Sequence, residues 1–139
     1  MSNYHVTKTT HDPAGDDRIA RALSRGHTIE ITTTGRKTGL PRRIELVFHN
    51  IDGRVYISGL PSRRTRGWIY NLEADPRMTF HLKGAVKADL AARGRVITDP
   101  AERRSILVHV ARAWRRDDVD VMVAASPLIE VVFEAERAA

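Results

Sequence analysis

Residues 28–48, TIEITTTGRKTGLPRRIELVF, predict two β-strands joined by a basic loop. Residues 28–31 alternate between polar and apolar side chains, which is typical of a strand, and residues 44–48 predict a second strand. Between them, residues 35–43 hold two glycines, one proline and four cations. A plain hairpin connection needs only about two to five residues and no concentrated positive charge. The connection is therefore more than a turn requires.

The composition of this loop indicates a site for an anion. Glycines allow positive φ and close backbone approach, so that N–H groups can point into a concave nest. Arginine adds a forked donor that matches phosphate, and lysine adds a mobile point charge. We interpret residues 35–43 as a cradle for phosphate or a polycarboxylate, with a solvated basic turn as the alternative. The order of residues matches neither the GxxxxGK[ST] nor the GxGxxG motif.

The composition of the whole chain is typical of one globular domain. With 139 residues, 42% of them hydrophobic and 29% charged, the chain is long enough to bury a core. The absence of cysteine excludes disulfides and thiol catalysis. The six histidines lack HxxxH or HExxH spacing, so no metal site is predicted. Without an apolar run of about 18 residues or a visible secretory signal, we expect a cytoplasmic protein with no transmembrane segment.

The distribution of charge favours a small anionic ligand. The net charge is +6, and the cations concentrate in the basic loop and at Arg63, Arg64 and Arg66, whereas the C-terminal strand is acidic. Aromatic residues make up only 6% of the chain, which is too few for a base-stacking surface. We therefore expect no nucleic-acid partner, although a basic nucleic-acid-binding barrel stays as a third interpretation.

Periodicity and turn signals predict a mainly β fold of the α+β class. About six mostly antiparallel strands, with helices at the ends, predict a small β-barrel with helical caps. Residues 1–14 are predicted to form a flexible N-terminal arm and residues 15–139 a single domain. Asn71 is expected to cap or bridge loop backbone rather than to contact a ligand, and Arg103 and Arg104 are expected to form a solvated helix face. The predicted strands are 27–34, 42–49, 55–58, 78–82, 86–91 with an extension toward 97, and 128–133; the predicted helices are 16–25, 68–74 and 101–114, with 119–125 ambiguous.

The order of several short motifs resembles a known family. They are TTTGRKTG at 32–39 followed by Pro41 and Arg42, DGRVY at 52–56, Ser58, Trp68, and NLEADPRMT at 71–79. Together they resemble the deazaflavin-dependent nitroreductases and related reductases of actinobacteria, which use coenzyme F420. The resemblance extends over about residues 27–98. It implies a split β-barrel of the FMN-binding, pyridoxamine-oxidase-like fold.

The resemblance also implies which residues hold the cofactor. F420 carries a phosphate and an oligoglutamate tail, and in the family the Gly-Arg-Lys-Ser/Thr-Gly loop and the following arginine bind them. By position, the implied contacts to the phosphate and tail are Arg36, Lys37, Thr38, Gly39 and Arg42; Ser58 and Gly59 would lie near the ring system and Trp68 near the pocket wall.

This chain departs from the family pattern at several points, two of which concern the binding of cofactor and substrate. Family members often have Ser-Lys-Gly-Gly after the third strand, where this chain has Ser58-Gly59-Leu60-Pro61. The missing lysine removes one expected contact, for which Arg63, Arg64 or Arg66 is a candidate replacement. Tyrosines that some relatives use for substrate have no equivalent in residues 117–126, so the substrate range stays open.

The activity implied by the resemblance is hydride transfer. Reduced deazaflavin would reduce an electrophilic small molecule such as a quinone, an activated alkene or a nitro compound. Because the cofactor carries this chemistry, no acid–base triad is required and no catalytic side chain is assigned. The alternative is a split barrel that binds FMN or F420 as a carrier or sensor. Analogy of fold makes a homodimer plausible.

Overall fold

A computed structural model of the chain describes residues 13–134, with side chains from residue 17 onward. Six strands and four helices form this part of the chain. In chain order they are α1 (Pro13–Ser24), β1 (Thr28–Thr34), β2 (Pro41–Ile51), β3 (Arg54–Ser58), α2 (Gly67–Ala74), β4 (Arg77–Lys83), β5 (Lys87–Val96), α3 (Pro100–Ala113), α4 (Val119–Ala125) and β6 (Leu128–Phe133).

The six strands close into a barrel in the order β1-β2-β3-β6-β5-β4. Every neighbouring pair is antiparallel, and β1 closes the ring by pairing with both β2 and β4. Ile31, for example, lies opposite Ile44 on one side and Phe80 on the other. This arrangement confirms the predicted α+β fold with a barrel of six antiparallel strands.

The barrel interior follows from the alternation of side chains along each strand. In β1, Ile29 and Ile31 are completely buried, while Thr28 and Glu30 lie on the outer face. Three phenylalanines, Phe48, Phe80 and Phe133, meet edge to face inside the barrel, with ring centroids 5.3 and 5.2 Å apart. Each such buried side chain contributes roughly 1.5–3 kcal/mol through the removal of apolar surface from water.

A second apolar cluster covers the outer side of β3 and β6 with α3 and α4. Leu107 and Val110 of α3 and Met122 of α4 are fully buried in this cluster together with Leu128. Helix α3 begins at Pro100, one residue before the predicted start at 101, and the Asp99 carboxylate caps it by accepting the hydrogen bond of the Glu102 N–H at 2.9 Å. The segment that the sequence left ambiguous is the helix α4.

The prediction of a solvated face was wrong for Arg103, which is half-buried between α3 and α4. Burial in this position lowers the pKa of the Arg103 guanidinium. The charge is stabilised by backbone dipoles, and no ion pair with a carboxylate is formed among the side chains of residues 17–134. Its guanidinium donates hydrogen bonds to four carbonyl groups, those of Ile97, Met122, Val123 and Ser126.

Two further observations concern the start of the first helix and the search for a membrane-spanning helix. The first helix begins at Pro13, three residues before the predicted start, and residues 1–12 of the expected arm lie outside the described residues. Within residues 13–134, no helix combines the length and apolarity that crossing a membrane requires.

Candidate functional site

The loop between β1 and β2 is a compact turn. The Gly35 N–H donates to the Leu40 carbonyl at 2.8 Å, and the Gly39 N–H donates to the Gly35 carbonyl at 2.8 Å. Gly39 has φ of 71°, a conformation that favours glycine. The Thr38 hydroxyl accepts the Leu40 N–H at 3.1 Å and lies so close to Gly35 that a Cβ there would be 2.8 Å from it. The two glycines are therefore needed to form this turn.

Asn71 of α2 fixes the start of this loop to the helix. Its side-chain oxygen accepts the Arg36 N–H at 3.0 Å, and its amide nitrogen donates to the Thr33 hydroxyl at 3.2 Å. Asn71 and Thr33 are both buried. The prediction that Asn71 bridges loop backbone is confirmed, and its partner is the basic loop itself.

An open pocket of about 450 Å³ lies between the basic loop and the start of α2. Five of the eight residues that the family resemblance implied as cofactor contacts line this one pocket. The complete lining is Gly35, Arg36, Lys37, Thr38, Arg42, Ile44, Gly67, Trp68 and Asn71.

The pocket carries positive charge that the protein does not neutralise. Among the side chains of residues 17–134, no carboxylate lies within ion-pair distance of Arg36, Lys37 or Arg42. The Arg36 guanidinium instead lies over the Tyr70 ring, 4.8 Å from the centroid, which restricts its position without reducing its charge. The three cations are thus available to an anion in the pocket.

The start of α2 adds backbone donors to the same pocket. Gly67 and Trp68, the first two residues of this helix, line the pocket. The N-cap residue, Arg66, makes no side-chain capping bond, and the first turn contains no acidic residue. The first N–H groups of a helix lack intrahelical partners and carry the positive end of the helix dipole. An anion in the pocket would therefore meet cations from the loop and an uncapped helix terminus.

Trp68 gives the pocket an apolar wall. The side chain is only 8% exposed, and it packs into the main barrel core while it lines the pocket. Ile44 of β2 adds a second apolar contact to the lining. The pocket therefore combines a charged rim with an apolar inner side.

Ser58 and Gly59 lie outside this pocket, at the end of β3. The buried Ser58 hydroxyl donates to the Pro127 carbonyl at 2.7 Å. A Cβ at Gly59 would be 3.1 Å from the Pro127 ring and 3.2 Å from an Arg66 guanidinium nitrogen. Gly59 therefore permits close packing of both residues. The eighth implied contact, Gly39, shapes the basic loop but does not line the pocket.

A larger groove of about 610 Å³ lies on the other side of α2. Arg63, Arg64 and Arg66 line one part of it, and apolar side chains of α2, α4 and β6, such as Ile69 and Val123, line another. The sequence predicted the α2 helix but not that the helix separates this groove from the basic-loop pocket, because that arrangement depends on how α2 packs on the barrel.

Comparison with known proteins gives a match that spans nearly the whole chain. The family model described as F420H(2)-dependent quinone reductase matches residues 5–134.

Solved structures share the fold at low sequence identity. A conserved hypothetical protein from Mycobacterium tuberculosis has a TM-score of 0.66 and 16% identity, covering 97% of this chain and 94% of its own. A putative pyridoxamine 5'-phosphate oxidase from Listeria innocua has a TM-score of 0.63 and 12% identity, covering 85% and 92%. A structure described as an F420-H2 dependent reductase has a TM-score of 0.54 and 19% identity, covering 75% and 92%. These likenesses support the split-barrel fold.

Proposed function

Because this chain belongs to the F420H(2)-dependent quinone reductase family, we propose that it transfers hydride from reduced F420 to a quinone-type acceptor. Membership makes the protein an oxidoreductase that uses coenzyme F420, as the sequence motifs predicted. The proposal adds the acceptor class and the residues that hold the cofactor.

The main support for this binding site is one observation. Three cations without an ion-pair partner among the described side chains line the same pocket. Arg36, Lys37 and Arg42 have no carboxylate partner among the side chains of residues 17–134, and the first two residues of the uncapped helix α2 line the same pocket. F420 has the complementary chemistry, because its phosphate and oligoglutamate tail are both anionic. Charge-assisted hydrogen bonds to such groups are stronger than neutral ones.

Each loop residue has a distinct role in this proposal. Arg36 and Arg42 provide forked donors to the phosphate and carboxylates, and Lys37 provides a mobile charge that suits a flexible tail. Thr38 and Gly39 hold the turn in shape, and the Thr38 O–H remains able to donate to the anion. Trp68 forms an apolar wall that excludes water from one side of the pocket.

Arg66 is our choice as replacement for the lysine missing after the third strand. Of the three candidate arginines, Arg66 lies against Gly59, at the position beside Ser58 where relatives carry lysine. Arg63 and Arg64 are exposed, whereas Arg66 is half-buried. We therefore propose that Ser58 and Gly59 are near the ring system and that Arg66 supplies the cation there.

When bound, reduced F420 supplies the hydride, and the chain's own residues bind, orient and shield the reactants. The apolar side of the larger groove, with Ile69 and Val123, offers a surface for a flat acceptor such as a quinone, an activated alkene or a nitroarene. The Ser58 hydroxyl already donates its hydrogen bond to the Pro127 carbonyl. We therefore assign no side chain as proton donor and expect the proton to come from water.

A fluorescence titration with F420 and with FMN, each at two salt concentrations, tests the binding site. We expect F420 to bind in preference to FMN, and binding to weaken as salt rises because the exposed cations are screened. In the double variant Arg36→Ala/Lys37→Ala, F420 binding should weaken by about 100-fold, as expected for the loss of two charge-assisted contacts. The matched control is Lys87→Ala/Arg112→Ala, which removes the same two residue types from exposed positions elsewhere. Equal affinity in both variants would remove the basic loop from the proposal.

Turnover with reduced F420 tests the reaction itself. We expect a quinone to be reduced faster than an activated alkene or a nitroarene of similar size. Tight binding of F420 without turnover of any of these acceptors would instead favour a carrier or sensor. Preference for FMN would overturn the cofactor assignment.

A further inference from the structure

A second basic pocket lies at the end of the barrel opposite the basic loop. It has a volume of about 500 Å³ and lies between α1, the start of β1 at Thr28, and the β4–β5 turn. The basic loop follows the other end of β1, after Thr34. A strand of this length is roughly 20 Å long, so the two pockets are separate sites.

Three arginines at and just after the C-terminal end of α1 line this second pocket. Arg18 and Arg21 lie three residues apart on one face of the helix, and Arg25 follows its last residue, Ser24. Like charges at this spacing disfavour a helix. Among residues 17–134, whose side chains the structure describes, no carboxylate lies within ion-pair distance of any of the three. This end of α1 and the residue after it therefore concentrate three cations without a counter-charge from those side chains.

Two other polar residues, Lys83 and His27, also line this pocket. Lys83 also lines it, but its ammonium group is neutralised by ion pairs with Glu30 and Glu45, neither of which lines the pocket. The His27 Nδ1 donates to the Thr28 carbonyl at 2.9 Å, and Nε2 has no hydrogen-bond partner within the described residues. Of these two residues, His27 is therefore the one whose ring nitrogen, Nε2, is available to contact a ligand.

The remainder of the lining is small or apolar. Ala22 of α1 and Gly84, Ala85 and Val86 of the β4–β5 turn complete it. A ligand that matches both parts would have a compact anionic group beside an apolar body.

We propose that this pocket is a second anion-binding site, for a phosphate monoester that carries an apolar group. Phosphate matches the site because it is a divalent anion at neutral pH and accepts forked hydrogen bonds from several guanidinium groups. The monoester could be a soluble one or the headgroup of phosphatidic acid. This site does not depend on the proposed binding of F420 at the basic loop.

The test uses the variant Arg36→Ala/Lys37→Ala as parent, so that binding at the basic loop does not contribute. Phenyl phosphate, titrated by calorimetry, is expected to bind the parent. Adding Arg21→Gln/Arg25→Gln should weaken binding at least about tenfold, because two charge-assisted contacts are lost. Adding Arg112→Gln/Arg115→Gln, two arginines outside the pocket, should leave the affinity unchanged. Equal affinities in the three proteins, or no binding to the parent, would overturn the proposal.

Two further measurements locate the site and identify the source of the phosphate. Amide chemical shifts should change on titration at residues 18–28 and 83–87, and changes confined to other residues would overturn the proposal. Co-sedimentation with vesicles of phosphatidic acid and phosphatidylcholine but not with phosphatidylcholine vesicles, lost in the Arg21/Arg25 variant, would support the site with a lipid as its ligand. Binding of phenyl phosphate without co-sedimentation would support the same site with a soluble phosphate ester as its ligand. Arg21→Gln/Arg25→Gln in the natural background should still bind F420 normally, which separates failure here from failure of the proposed function.

Discussion

The basic loop and the outer face of the neighbouring strands carry the same types of charged residue in different environments. On the outer face, Glu30 forms ion pairs with both Arg43 and Lys83, and Lys83 also pairs with Glu45. In the pocket beside the basic loop, Arg36 and Arg42 have no such partner among the side chains of residues 17–134. The protein therefore neutralises its own cations in one region and leaves them available in the other.

This difference divides a run of charge that is continuous in the sequence. Arg42 and Arg43 are adjacent in β2, but successive side chains of a strand point to opposite faces. Arg42 lines the pocket, whereas Arg43 pairs with Glu30 on the outer face. A cation that has a carboxylate of the protein beside it serves the structure, and one without such a neighbour is available to a ligand. Its place in the basic run of the sequence does not decide between the two.

The largest expected effect concerns a cation that the protein satisfies completely, Arg103. Arg103→Ala should lower the free energy of unfolding by about 3 kcal/mol, because several buried carbonyl groups lose a charged donor. The control is Arg104→Ala in the same helix, which removes only an exposed pair with Asp120 and should cost less than about 1 kcal/mol. Urea denaturation of both variants gives the comparison, and equal losses would contradict it.

Asn71→Ala is expected to affect both stability and ligand binding. Loss of its two hydrogen bonds should cost about 2 kcal/mol in stability and should release the basic loop from α2, which weakens F420 binding. Asn50→Ala is a matched control, because Asn50 also makes two hydrogen bonds, with the Leu23 carbonyl and the Gly53 N–H, away from the pocket. We expect a similar loss of stability there, with normal F420 binding. Denaturation and titration of each variant measure the two effects.

Neutralising adjacent arginines tests the division of the basic run directly. Arg42→Gln should weaken F420 binding by about tenfold and leave stability unchanged, since one charge-assisted contact to the ligand is lost. Arg43→Gln should leave binding unchanged and alter stability by less than about 1 kcal/mol, because its ion pair is exposed. A reversed result in the titration would show that the two faces of β2 are assigned incorrectly.

The smallest expected effect is an acid-dependent one on the outer face. Hydrogen bonds from Lys83 and Arg43 lower the pKa of Glu30 from an ordinary value of 4.5 to about 2. A carboxyl whose pKa is lower in the folded state stabilises the fold above its unfolded pKa and loses that contribution as the pH falls. The stability of the Glu30→Gln variant should therefore fall less than that of the natural protein between pH 5 and pH 2. Denaturation curves across this range check the slope.

The secondary structure could be predicted from the sequence because its signals are local. The alternation in β1, the Asp-Gly turn after β2 and the capping of α3 each depend on a few neighbouring residues. The boundaries were less certain, as shown by the start of α1 at Pro13 and by the ambiguous α4. The sequence predicted a barrel, but it did not predict that β1 and β4 pair to close it.

The candidate site was predicted in part. The composition of the loop indicated an anion, but the uncapped start of α2 beside it depends on packing between segments about thirty residues apart. Burial of the Ser58 hydroxyl against Pro127 and the carbonyl contacts of Arg103 likewise depend on long-range packing. No pattern within a single segment reports which carbonyl or carboxylate will lie near a given side chain.

Closure of the barrel also limits how two copies of this protein can associate. Each of the six described strands has a hydrogen-bonded neighbour on both sides, so the sheet offers no open edge for the strand of another molecule. The homodimer expected from analogy of fold stays a prediction, and it would have to form through side-chain contacts between outer faces or helices. The same closure protects the backbone against the edge-to-edge pairing from which fibrillar aggregates grow.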